Sequence, residues 1–102
     1  MEETFGSLLR KLRKNKGIGI KKMAPEIDLD YTYLSRIEND KVMPSEQVIA
    51  RISKYLRYDE DELLLMADKV PDDIKTILRE NPQEALGYLR ERFAHGKRSG
   101  SK

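Results

Sequence analysis

KKMAPEIDLDYTYLSRIE, residues 21–38, is the stretch that decides how this chain folds. It reads as two short helices joined by a tight turn. Met23, Ala24, Ile27, Leu29, Leu34 and Ile37 fall where two crossing helices bury them against each other. The far side of the second helix is polar. Tyr31, Thr32, Ser35, Arg36 and Asn39 stand at i, i+1, i+4, i+5 and i+8, one face of a helix with 3.6 residues per turn. Asp30 should cap that helix, because its carboxylate can accept from free N–H groups two or three residues on and favours the positive end of the helix dipole. Asp28 should end the preceding helix in the left-handed region, which Asp tolerates better than most residues. Pro25 is the awkward residue. In a helix starting at Ile20 its missing N–H would have bonded the Lys21 carbonyl, so a bent or locally 3₁₀ helix is expected there.

Outward from this stretch the pattern stays helical, with no period-2 apolar run of strand length. A first helix over 4–15 sets Phe5, Leu8, Leu9 and Leu12 at i, i+3, i+4 and i+7, with Arg10, Lys11 and Lys14 turned outward. Gly17 stops it, and Gly19 offers the N-cap of the next. After the turn Asn39-Asp40-Lys41, Pro44-Ser45 opens a fourth helix with Val48, Ile49, Ile52, Tyr55 and Leu56 inward. Asp59 opens a fifth, over 60–67, that buries Leu63, Leu64 and Met66. Two more follow over 72–80 and 82–93, started by Pro71 and Pro82, with Asn81 capping the last. The expected architecture is all-α: five helices in residues 1–69, a helical pair in 70–93 and a disordered tail in 94–102. Phe5, Leu8, Leu12, Met23, Ala24, Ile27, Leu34, Ile37, Val48 and Ile52 are the expected core.

A chain of 102 residues can build one small core and leaves little for a catalytic cleft. The absence of cysteine excludes disulfides and thiolate metal sites, and a lone His95 cannot make a zinc site with its own kind. No metal and no cofactor are expected. No apolar run approaches the roughly 20 residues that span a bilayer, and Met1-Glu2-Glu3 lacks the pattern of a secretory signal, so a cytoplasmic protein without membrane contact is expected. Net charge is only +2, but it is unevenly spread. Residues 1–22 carry seven basic groups against two acidic ones, and residues 23–69 carry six against eleven. The positive end is where a phosphate backbone would be expected to lie, although such runs are usually solvated helix faces.

Several fixed spacings together resemble the Xre-type, lambda-repressor-like helix-turn-helix DNA-binding family. Gly6-Ser7-Leu8-Leu9-Arg10-Lys11-Leu12-Arg13 follows that family's G-x-x-[LI]-R-x-[LI]-R first helix. Met23-Ala24 stands for its Leu-Ala pair, Leu34-Ser35-Arg36-Ile37-Glu38-Asn39 for I-S-R-I-E-N, Pro44-Ser45 for P-S, and residues 59–64 for D-x-x-x-L-L. The likeness covers roughly residues 4–67. Three positions depart from it. Ile20 stands where a phosphate-binding Gln is usual, and Asp28 and Asp40 stand for glycines, Asp40 close to where the DNA backbone should pass and so a source of repulsion.

The resemblance implies that the helix over about 31–39 enters the major groove of double-stranded DNA with its N-terminal end toward the bases. Tyr31, Thr32, Ser35 and Arg36 would then contact bases, Arg36 through a two-bond fork to guanine O6 and N7. The alternative for Arg36 is an ion pair with Asp40, and Tyr31 is equally placed for a phosphate. Gly19, Lys21, Lys22, Tyr33, Asn39 and Lys41 are the implied phosphate contacts. Arg13 and Glu38 resemble the family's buried ion pair, a structural role.

The pair over 70–93 lies beyond the usual five-helix unit. Its apolar face, Ile74, Ile77, Leu78, Leu86, Leu89 and Phe93, can pack within one chain or against a second copy. A homodimer on a palindromic operator is the favoured reading. The expected function is a sequence-specific transcriptional regulator, most simply a repressor. The alternative is a protein-interaction or antitoxin-like module whose C-terminal helices hold a partner protein; it would need neither the basic first helix nor the Arg36 stripe. An enzyme is not expected, because no nucleophile stands beside a plausible base.

Overall fold

In a computed structural model of the chain, which describes residues 3–94, the described residues are all-helical. Seven helices follow in order: α1 Phe5–Asn15, α2 Ile20–Glu26, α3 Tyr31–Glu38, α4 Glu46–Leu56, α5 Glu60–Met66, α6 Asp72–Glu80 and α7 Pro82–Phe93. They fall into two compact units, divided between Lys69 and Val70. The tail expected to be disordered lies, from residue 95 on, outside the described residues.

The first unit holds α1 to α5. Thr4 starts α1 with a reciprocal cap: its hydroxyl accepts from the Ser7 N–H and the Ser7 hydroxyl accepts from the Thr4 N–H. Ser45 and Asp59 cap α4 and α5 through their side chains. Asp30 holds the N-cap position of α3, but its side chain makes no capping hydrogen bond. Pro25 lies in α2 with no 3₁₀ segment around it, so of the bent or locally 3₁₀ helix expected there the 3₁₀ form is not found. It is the penultimate residue, so only one helical residue follows it and the missing N–H leaves the Lys21 carbonyl at the exposed end of a short helix.

All five helices of this unit end in the same way. Gly17, Asp28, Asp40, Arg57 and Asp68 have positive φ, between 55° and 69°. Each is followed by an N–H that reaches back to a carbonyl five residues earlier: Ile18 to Arg13, Leu29 to Ala24, Lys41 to Arg36, Tyr58 to Ser53 and Lys69 to Leu64. This closing turn satisfies carbonyls that a helix end leaves free, and it reverses the chain tightly enough to stack short helices.

The core gathers Phe5, Leu8, Leu9, Met23, Ala24, Ile27, Leu34, Ile37, Val48, Ile49, Ile52, Leu56, Leu63, Leu64 and Ala67. Leu12 and Met66, expected inside, are only partly buried at its edge. α1 and α2 both pack on α3, and α4 packs on α5. At the first contact Gly6 is decisive. A Cβ there would lie 2.5 Å from the Glu38 carbonyl oxygen and 2.7 Å from that of Ile37, so the start of α1 rests directly on the end of α3.

In the second unit α6 packs on α7 as a hairpin, and neither helix has a buried residue. Asn81, at the N-cap of α7, makes no side-chain cap. Its amide donates backward to the Ile77 carbonyl at 3.1 Å and so closes α6 instead. Ile74, Ile77, Leu86, Leu89 and Phe93 are exposed, Phe93 at 63 %.

Candidate nucleic-acid interface

α3 has two faces of opposite character. Leu34, Ile37 and Glu38 are buried, whereas Tyr31, Thr32, Arg36 and Asn39 are exposed and Ser35 is half-buried. The inward face anchors the helix in the core. The outward one is free to meet a ligand. Arg36 makes no ion pair and no side-chain hydrogen bond among the described residues, so its alternative partner, Asp40, does not hold it. Both Asp40 carboxylate oxygens are used elsewhere: one accepts from the Thr4 hydroxyl at 2.7 Å and the other from the Gly6 N–H at 3.0 Å. The acid expected to repel a DNA backbone therefore caps the N-terminus of α1, where the helix dipole favours a negative charge.

Below Arg36 lies the ion-pair centre. Glu38 is 3 % exposed and Arg13 7 %. Arg13 Nε donates to Glu38 Oε2 at 2.6 Å and Nη2 to Oε1 at 2.8 Å, a two-bond fork, and Nη1 donates to the Ile18 carbonyl at 2.9 Å. The hydrogen bonds to Glu38 raise the Arg13 pKa above its ordinary value, against the opposing effect of burial. Every nitrogen of this buried guanidinium thus has a partner, which is what a charge removed from water requires. The structure brings together Arg13 and Glu38 as expected.

It also brings in a residue that sequence reading turned outward. Arg10 Nε lies 3.4 Å from Glu38 Oε1, and its Nη2 donates to Asn39 Oδ1 at 2.9 Å. Asn39 Nδ2 donates in turn to the Ser35 carbonyl at 2.9 Å. Of the other α1 cations, Lys11 pairs with Glu3 at 2.8 Å, and this contact raises its pKa. Lys14 stays exposed. The first helix is therefore less of a free positive surface than its composition suggests.

The implied phosphate contacts divide similarly. Gly19, at the N-cap of α2, is exposed with no side-chain cap over its end. Lys21 is exposed, its ammonium 6.0 Å from the centre of the Tyr31 ring, within reach of a weak cation–π attraction. Lys22 is tied to Glu26 at 3.1 Å, and Glu26 also accepts from the Tyr55 hydroxyl on α4. These contacts, the phenol first, lower the Glu26 pKa. Tyr33 is half-buried against the core, and Lys41 is exposed. Ile20, standing for the usual Gln, is partly buried against the same core, so apolar packing has replaced a polar contact there.

Residues 6–69 match the family model described as a helix-turn-helix domain. The chain belongs to this helix-turn-helix family, the Xre-like DNA-binding kind that its motifs resemble. It is also 31 % identical over 69 residues to the ImmF control region 10 kDa protein of Bacillus phage phi105, an alignment that covers 68 % of this chain and 77 % of that one. No solved structure matches it significantly. Family and fold together make the protein a DNA-binding transcriptional regulator. No helix among the described residues is long and apolar enough to cross a membrane.

Proposed function

We propose that this protein is a repressor that binds a palindromic operator as a homodimer and reads the major groove with α3. The observation that carries the reading is Arg36, exposed and without a partner among the described residues, beside exposed Tyr31 and Thr32 on a helix whose other face is locked into the core. A planar fork held on a rigid helix suits a guanine edge. Tyr31, Thr32 and Ser35 complete the base-facing set. Gly19, Lys21, Lys22, Tyr33, Asn39 and Lys41 are the phosphate contacts, with Lys22 drawn from its pair with Glu26 on binding. The name of the phage relative, a control-region protein, supports a regulatory role. A regulator of this kind works in the cytoplasm.

The hairpin of α6 and α7 supports the dimer. A pair of helices with no buried residue cannot hold itself together by its own core. Ile74, Ile77, Leu78, Ala85, Tyr88 and Leu89 line an open groove of about 480 Å³, and Leu86 and Phe93 extend the apolar surface. A two-fold dimer on a palindromic operator calls for two α3 helices roughly one DNA turn, about 34 Å, apart. The same exposed face favours the second reading, a module that holds another protein through α6 and α7.

Selection of bound oligonucleotides from a random pool tests the first reading, because it returns site, symmetry and half-site spacing together. Arg36→Ala should then cost about 1 to 3 kcal/mol on the selected site and relax base preference at one position. Lys21→Ala should weaken all sequences alike and flatten the salt slope by about one unit. No enrichment in the pool, with a monomer in sedimentation, would favour the second reading.

A further inference from the structure

Two guanidinium groups share one buried carboxylate at the end of α3. Arg13 takes both Glu38 oxygens at 2.6 and 2.8 Å, and Arg10 reaches the same carboxylate only through a 3.4 Å contact. The cluster therefore carries one unneutralised positive charge. That excess sits on Arg10, whose side chain is 43 % exposed, rather than on the 9 % exposed side chain of Arg13. The best hydrogen bond of Arg10 goes to the Asn39 amide oxygen at 2.9 Å, and one amide N–H of Asn39 goes to the Ser35 carbonyl at 2.9 Å.

These two bonds fix which way the amide stands. Turned over, Asn39 would set its NH₂ against a guanidinium, donor against donor, and its oxygen against a carbonyl, acceptor against acceptor. In the orientation held, the oxygen is consumed and one N–H has no partner among the described residues, on an exposed side chain. The C-terminal end of a helix repels an anion through its dipole. A phosphate there needs a donor aimed by something else and a compensating charge. Arg10 supplies both.

We propose that Arg10 is a positioning residue for DNA binding: it locks the Asn39 amide so that its free N–H donates to a backbone phosphate. This rests on the reading of Asn39 as a phosphate contact. It moves Arg10, on the first helix, into the binding machinery without a DNA contact of its own.

The test measures affinity of the full chain for the selected operator in Arg10→Lys, Asn39→Ala and the double variant, with urea unfolding and phosphate-ethylation interference on each. Arg10→Lys keeps the charge and loses the fork, and Arg13 still pairs Glu38, so the fold should survive. Asn39→Ala and Arg10→Lys should each weaken binding by about tenfold, the size of one charge-assisted hydrogen bond. The double variant should be no weaker than Asn39→Ala alone, and interference should vanish at the same single phosphate in all three. The salt slope of Arg10→Lys should not change. Multiplicative losses in the double variant, or loss of interference at two different phosphates, would overturn the proposal in favour of a direct Arg10 contact. Arg10→Lys that binds like the parent while Asn39→Ala is weak would overturn it too. If Asn39→Ala binds normally while Arg36→Ala does not, both the proposal and the Asn39 contact fail but the regulator reading stands. If no variant and no parent binds, the regulator reading itself has failed.

Discussion

Gly6→Ala should destabilise the first unit, although the same change in an open helix is favourable. The position lies in the first turn of α1, where Ala exceeds Gly in helix propensity by up to about 1 kcal/mol. Against that gain, the new Cβ would lie 2.5 Å from the Glu38 carbonyl oxygen, 2.7 Å from the Ile37 carbonyl oxygen and 2.7 Å from Asp40 Oδ1. Two of these are backbone atoms of the α3 terminus and cannot step aside without moving the helix. The third is a side chain, but swinging it away breaks its bonds to the Gly6 N–H and the Thr4 hydroxyl. Overpacking of this kind costs about 1 to 3 kcal/mol, and loss of the Asp40 cap adds about 1 kcal/mol more. The net expectation is a loss of roughly 1 to 3 kcal/mol, read as a lower urea midpoint with unchanged slope by helical circular dichroism. Because the lesion is where α1 meets α3, operator affinity measured well below the midpoint should fall as well. A methyl added at Gly87, in α7, would meet nothing within 4 Å, so Gly87→Ala is the control and should raise helicity. A Gly6→Ala protein as stable as its parent would refute the account of how α1 and α3 meet.

Glu38→Ala leaves Arg13 buried without its counter-charge and should cost about 3 to 5 kcal/mol in the same unfolding assay. Asp68→Gly should stabilise the protein by roughly 1 kcal/mol, by relieving a left-handed non-glycine residue. Asp40→Gly relieves the same strain but should be destabilising overall, because only Asp40 caps another helix; equal effects at the two positions would contradict the capping role. The bonds of Glu26 to Tyr55 and Lys22 lower the Glu26 pKa, so their contribution is present above the ordinary carboxylate range and is lost as pH falls through the lowered value. Tyr55 is raised by the same bond to Glu26, so its contribution is present below the ordinary phenol range and disappears as pH rises through the raised value. Thermal melts of Tyr55→Phe across pH should lose the alkaline dependence and keep a weakened acid one, because Lys22 still pairs with Glu26. Finally, the seven basic residues of 1–22 together with Lys41 would give a salt slope of about −7 per protomer if all met phosphates. Lys14, Lys16, Lys21 and Lys41 are the lysines among them that are exposed without a carboxylate partner among the described residues; with Lys22 released from Glu26 on binding they are five, so a titration of affinity against salt should give a slope no steeper than about −4.5.

The helices are legible from residues 21–38 outward because apolar spacing is a local property, and so are the ends at Gly17 and Asp28, residue types that tolerate the left-handed region, and at Asp40, which stands for a glycine in the family that the motifs resemble. Arg57 and Asp68 end their helices in the same conformation, yet Arg has no turn preference to announce it, and Asp68 directly follows the apolar run 63–67 with no neighbouring turn residue to mark the reversal. Asp30 and Asn81 occupy the cap positions that their side chains predict without making the capping bonds. Position follows from the local chain, whereas the hydrogen bond depends on a rotamer that tertiary neighbours set. On the binding face, the polar stripe of α3 was readable for the same reason as the core on its other side.

Charge was the least legible property, and the reason is distance along the chain. Arg10 finds Glu38 and Asn39 across 28 and 29 residues, and Asp40 finds Thr4 across 36. No periodicity reports such pairs. Counted along the sequence, α1 is a positive strip and Asp40 an obstacle to DNA. Paired in three dimensions, the three consecutive residues that follow Ile37 are each held by α1 and its cap: Glu38 by Arg13 and Arg10, Asn39 by Arg10, and Asp40 by Thr4 and Gly6. α1 thus spends its charge on fixing the end of α3 more than on attracting a phosphate backbone. A helix of eight residues is too short to hold itself rigid, and base readout needs side chains fixed in place. The pairing of Arg13 and Arg10 with the end of α3 holds the helix backbone in place, as the proposed readout by Arg36 requires.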